Sequence, residues 1–123
     1  MNLYLECKKA LQDHFSEIED WATISHLLSQ FPINGNYIDW SEMNFQDYHA
    51  SQLQHLSLME HSTEIYVVVD DQEIPVFKTN FKLLCEHIDD VLALSPKLMM
   101  LNNTLIMEPL FPTYNIRVGH IKK

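Results

Sequence analysis

A run of five residues, Ile65-Tyr66-Val67-Val68-Val69, constrains this chain more than any other stretch. It is β-branched and almost wholly apolar, the composition of a strand in the middle of a sheet. Asp70-Asp71-Gln72 supplies a turn, and Glu73-Ile74-Pro75-Val76-Phe77 reads as the hairpin partner. Pro75 brings no amide proton to the ladder, so this partner belongs at an edge or a bulge. Lys97-Leu98-Met99-Met100-Leu101 and Thr104-Leu105-Ile106-Met107 flank Asn102-Asn103, a two-residue loop with hairpin chemistry. Pro109 and Pro112 bracket a turn before a last strand over Tyr114 to Ile121.

Helical spacing dominates the N-terminal part. Leu3, Cys7, Leu11, Phe15 and Ile18 recur at three- and four-residue steps, which predicts an amphipathic helix from about Asn2 to His14 or somewhat beyond. Asp20 can cap a second helix whose apolar face is Trp21, Ile24, Leu27, Leu28 and Phe31, with Pro32 as its stop. Asn34-Gly35 is a turn signal, and Tyr37-Ile38-Asp39-Trp40 reads as a short extended entry. Leu53, Leu56 and Met59 suggest a short helix starting near Ala50. Asn80 can cap a further helix with Phe81, Leu84, Cys85, Ile88 and Leu92 on its apolar face, ended by Ser95-Pro96. The expected architecture is α+β: N-terminal helices followed by an antiparallel sheet of about five strands, with one helix inserted between its hairpins. The 123 residues fit one domain, 1–123, with a substantial core.

Charge is segregated along the chain. Between Lys9 and Lys78 there is no lysine or arginine, while twelve carboxylates fall in that stretch. The two flanks carry eight bases and five acids, and the net charge is −9. A one-signed surface focuses its field and speeds encounter with a partner of opposite sign. It repels phosphate backbones, so direct nucleic-acid binding is disfavoured. Acidity also serves plain solubility. No stretch has the length and apolarity of a membrane span, and the charges Glu6, Lys8 and Lys9 interrupt any signal-peptide core. Cys7 and Cys85 lie far apart without metal or disulfide-framework spacing, as expected of reduced, buried thiols in the cytoplasm.

Catalytic patterns are missing from the sequence. Gly35 and Gly119 are its two glycines, too few for a phosphate-cradling loop of the P-loop or dinucleotide kind. The seven histidines never fall at metal-ligand spacing, so no metal or other cofactor is expected. No serine sits in a nucleophile elbow, and Cys85 lies on the apolar side of its helix. The adjacent acid pairs Glu19-Asp20, Asp70-Asp71 and Asp89-Asp90 sit where capping and turn roles account for them.

What remains is a surface for binding protein. Tyr37, Asp39, Trp40, Glu42, Asp47 and Tyr48 combine aromatics, which anchor interfaces, with carboxylates that pair with a partner's bases. The competing reading places Tyr37 and Trp40 in the core and leaves the acids exposed. The hairpin tip, Asp70, Asp71 and Glu73, is the second candidate.

Several blocks carry a resemblance: Leu5-Glu6-Cys7-Lys8-Lys9-Ala10-Leu11, Gly35-Asn36-Tyr37-Ile38-Asp39-Trp40-Ser41, Pro75-Val76-Phe77-Lys78-Thr79-Asn80, Ala93-Leu94-Ser95-Pro96-Lys97 and Pro109-Leu110-Phe111-Pro112-Thr113. Together they resemble bacterial immunity proteins of contact-dependent growth inhibition systems, over nearly the whole chain. The resemblance implies a cytoplasmic, non-enzymatic antitoxin. It would bind the cognate C-terminal toxin domain of a delivered effector and occlude its active site. It also implies a basic toxin, a nuclease such as a transfer-RNA nuclease, and through it an indirect association with elongation factor Tu. The alternative class is a small acidic adaptor or subunit that binds a basic protein without inhibiting it.

Overall fold

The computed structural model describes residues 2–35, 37–55 and 63–121. Its centre is a seven-stranded antiparallel sheet, with strands β1 (Ser16–Glu17), β4 (Met43–His49), β5 (Glu64–Val69), β6 (Phe77–Asn80), β7 (Leu98–Leu101), β8 (Ile106–Pro109) and β9 (Asn115–Ile121). Their spatial order is β1-β6-β5-β7-β8-β9-β4. A separate hairpin joins β2 (Ile33–Asn34) and β3 (Tyr37–Ile38) around Gly35, whose φ of 64° suits the turn predicted there. The helices are α1 (Leu3–Ala10), α2 (Trp21–Leu28), α3 (Phe81–Glu86) and α4 (Ile88–Leu92).

The apolar run is interior, as its composition demands. Side chains alternate across a strand, and both sides of β5 are covered. Ile65, Val67 and Val69 enter the larger core with Cys7 of α1, Leu11 just beyond it, Leu84 of α3 and Val91 of α4. Tyr66 and Val68 face a smaller core with Leu27, Phe31, Ile38 and Met43. Helices α1, α3 and α4 therefore blanket one face of the sheet. Helix α2 and the β2–β3 hairpin cover part of the other.

Several expectations need correction. The sheet has seven strands, not about five, and the helices do not simply precede it. Strands β1 to β3 are interleaved with α1 and α2, and two helices lie further along the chain. The first helix ends at Ala10 because Phe15 turns extended (φ −143°, ψ 131°) and stacks on Phe77, ring centroids 5.0 Å apart. Ser16 and Glu17 then pair with Lys78 and Phe77. Trp21 opens α2 but is 54% exposed, outside the apolar face assigned to it. The partner of β5 begins at Phe77 instead of Glu73, with Val67 opposite Phe77. The turn is longer because Asp71 accepts from the Glu73 amide at 2.9 Å and Pro75 cannot donate to a ladder. The inserted helix is two helices, broken at His87, whose φ of −119° leaves helical space. The β7–β8 loop spans four residues, since Leu101 pairs with Ile106. Buried Asn102 organises it by accepting from the amides of Thr104 (2.8 Å) and Leu105 (3.1 Å) and donating to the Glu64 carbonyl (3.1 Å). The helix expected from Ala50 is a 3-10 segment, Ala50–His55; Leu56 and Met59 lie outside the described residues.

Candidate protein-binding face

The face of the sheet opposite α1, α3 and α4 carries the candidate surface. Asp39 accepts from the Ser41 amide at 3.2 Å and so starts the 3-10 turn Trp40–Glu42, which delivers the chain into β4. The indole of Trp40 then lies over β9. An added Cβ at Gly119 would meet Trp40 Cζ3 at 2.5 Å, so the absence of a side chain at Gly119 is what seats the ring. Trp40 Nε1 donates to Glu108 Oε1 of β8 at 2.7 Å.

Pairing of β4 with β9 places Asp47 opposite Arg117, and β8 places Glu108 on the other side of the same arginine. Arg117 grips Asp47 bidentately, Nε to Oδ1 at 2.7 Å and Nη2 to Oδ2 at 3.1 Å. Its guanidinium lies 4.4 Å from the Phe45 ring centroid and 5.7 Å from that of Trp40. Phe45 meets Trp40 edge-on at 5.7 Å. The guanidinium holds the Asp47 carboxyl below its ordinary range, and the carboxylate raises Arg117 in return.

Beside this cluster runs a groove of about 420 Å³ between α2, the β2–β3 hairpin and strands β5 and β7. Trp21, Tyr37, Asp70, Lys97 and Glu108 line it, over an apolar floor that includes Val68 and Met99. Tyr37 is 67% exposed. Lys97 and Asp70 form a loose pair at 3.9 Å.

The two sequence candidates thus share one neighbourhood in part. Tyr37 from the first and Asp70 from the second line the same groove, and Trp40 joins it through Glu108. Glu42 is exposed. Asp71 and Glu73 are exposed at the β5–β6 turn, where Asp71 also shapes the backbone. Asp39 is a capping residue and Asp47 is engaged by Arg117. Tyr48 departs from the group: it is half-buried against the larger core, on the opposite face. Sequence reasoning missed Trp21, Phe45, Glu108, Arg117 and Gly119. A lone glycine inside a strand is a sign of close approach, and Gly119 was such a sign. The cross-strand position of Arg117 needed the register.

Elsewhere the thiols of Cys7 and Cys85 are buried and pushed up to about 12 by burial, so both are neutral at physiological pH. Among the described residues no group of three His, Cys, Asp or Glu is placed to hold a metal ion, and no helix is long and apolar enough to cross a membrane.

The chain belongs to a family of immunity proteins of contact-dependent growth inhibition: the model of the CdiI immunity protein family, EcoliA0-like, matches residues 1–119. A search of curated proteins found no match. Family membership gives the chain a cognate toxin as partner and the role of an inhibitor.

Proposed function

We propose that this protein acts in the cytosol by binding the C-terminal toxin domain of its cognate effector and covering that domain's active site, with no chemistry of its own. The toxin is a basic nuclease, such as a transfer-RNA nuclease, and any association with elongation factor Tu runs through the toxin. A nuclease cleft is basic because it holds phosphate, and an acidic face can occupy it by charge complementarity. The observation that carries the reading is the family match over residues 1–119. Exposed Tyr37, in a groove with Asp70, and the exposed carboxylates Glu42 and Asp71 support the reading of an acidic protein-binding surface.

The test uses the C-terminal toxin domain of the cognate effector. Cells expressing it should survive when this protein is co-expressed, and purified protein should protect completely near equimolar toxin. Glu42→Lys and Asp71→Lys should each weaken binding roughly a hundredfold, several kcal/mol of like-charge contact. Their thermal midpoints should stay close to wild type, since surface changes alter stability by less than about 0.5 kcal/mol. Protection by trace amounts would reveal turnover and sink the occlusion mechanism. Binding without protection would favour the adaptor class. Undiminished binding by both variants would place the interface elsewhere.

A further inference from the structure

The groove lined by Trp21, Tyr37, Asp70, Lys97 and Glu108 has the chemistry of a receptor for one kind of side chain. We infer that it takes an arginine from a basic segment of the toxin, its aliphatic stem on the apolar floor and its guanidinium among the aromatic and carboxylate walls. This rests on the immunity reading and adds to it a definite point of contact. Four observations carry it.

First, Trp21 and Tyr37 hold much of their ring surface in solvent, 54% and 67% exposed, at the rim of a concave site. Exposed aromatics around a pocket are the usual anchors of an interface. Second, Glu108 commits Oε1 to the Trp40 indole, while Oε2 has no hydrogen bond among the described residues. An ionised carboxylate has acceptor capacity to spare for a guanidinium. Third, Lys97 is the sole base among the described lining residues, and it is held to Asp70 at 3.9 Å with both side chains mostly exposed. Such an exposed pair is weak and readily exchanged for a better-placed cation. Fourth, the same face already holds an arginine by this chemistry. Arg117 lies against Phe45 and Trp40 with a bidentate carboxylate, and Glu108 stands opposite it across the β8–β9 pairing. A planar guanidinium suits ring faces and a carboxylate together; a compact ammonium does not stack. The volume of about 420 Å³ is ample for one such side chain.

The experiment measures the dissociation constant and dissociation rate of the cognate toxin domain, with thermal midpoints for every variant. Trp21→Ala should weaken binding at least about tenfold, the cost of losing a modest hot spot. Lys97→Glu removes the competing base and should tighten binding by about threefold or more, chiefly through slower dissociation, as expected of a direct contact rather than of steering. That gain should vanish in the Trp21→Ala background. Lys97→Glu is the safeguard should Trp21→Ala fold poorly. The inference is overturned if Lys97→Glu leaves affinity unchanged or lowers it, which marks an apolar or acidic occupant. It is also overturned if Trp21→Ala changes only self-association in sedimentation, which marks a second copy of this chain. Should Trp21→Ala and Lys97→Glu bind as wild type while Glu42→Lys fails to bind, the groove is empty but the immunity reading stands. Absence of binding by the wild type defeats both.

Discussion

Replacing Gly119 by alanine tests the packing that builds the candidate face. The new methyl carbon would lie 2.5 Å from Trp40 Cζ3, 3.1 Å from Trp40 Cε3 and 3.0 Å from Met43 Cε. Carbon atoms settle about 3.5–4.0 Å apart, so the indole must retreat by about 1 Å. Met43 can yield at the end of a flexible side chain; the rigid indole cannot. Trp40 Nε1 then leaves Glu108 Oε1, now 2.7 Å away, and a hydrogen bond to a charged group is worth about 1.5–3 kcal/mol. Overpacking typically costs about 1–3 kcal/mol. Alanine recovers about 0.5–1 kcal/mol of glycine's entropic penalty. The net expectation is a loss of about 1.5–5.5 kcal/mol, or roughly 6–20 °C in thermal midpoint for a domain of this size. Urea titration followed by tryptophan emission measures it, and the decisive control is a double-mutant cycle. In a Trp40→Ala background the clash is gone, so Gly119→Ala should cost close to nothing. An equal cost in both backgrounds, or no cost in either, would refute the claim that Gly119 exists to seat Trp40.

Two further outcomes follow from the core and from the ion pair. Leu84 is completely buried in the larger core, so Leu84→Ala should lower the unfolding free energy by about 2–5 kcal/mol; an unchanged urea midpoint would contradict its burial. Asp47 has its folded-state pKa below the unfolded value of 3.8 because Arg117 binds its ionised form, so its contribution is complete above that value and is lost as pH falls through the folded pKa. The stability difference between wild type and Asp47→Asn should therefore be flat above about pH 5 and narrow below it; a difference that widens in acid would show that Arg117 does not favour the carboxylate.

Much of the fold could be read from local patterns, and the failures share a cause. Ile65–Val69 announced a central strand because both faces are apolar, and both are in fact covered. Asp20 and Asn80 were recognisable caps, and each accepts the expected amide, from Ala22 at 2.9 Å and Leu83 at 2.8 Å. Strand β4 went unread because it is an edge strand exposed along most of its length, with little β-branched content to mark it. Phe15 continued a helical spacing yet is drawn into extended backbone by its stack on Phe77, 62 residues distant in sequence. Local pattern cannot weigh a contact of that range against propensity.

The candidate site was legible as a set of residue types and illegible as a surface. The base-free stretch implied a one-signed face, but antiparallel pairing returns bases from the flanks to it. Arg117 reaches Asp47 across β4 and β9, Lys78 reaches Glu64 across β5 and β6, Lys97 reaches Asp70, and from helix α1 Lys8 reaches Glu17. Five of the six described lysines and arginines are matched in this way or along a helix. Asp13, Glu19, Asp20, Asp39, Glu42, Asp71 and Glu73 form no ion pair among the described residues, and these supply the uncompensated field. Asp20, Asp39 and Asp71 also accept backbone amides, which fixes their orientation without neutralising them. The candidate face is therefore a patchwork of a neutralised arginine–aromatic cluster and a half-compensated groove, while carboxylates without an ion pair lie elsewhere on the described surface. On the proposed reading, long-range attraction comes from the unpaired carboxylates and specificity from the groove and the cluster, where exposed aromatics and the Glu108 carboxylate demand a matched partner.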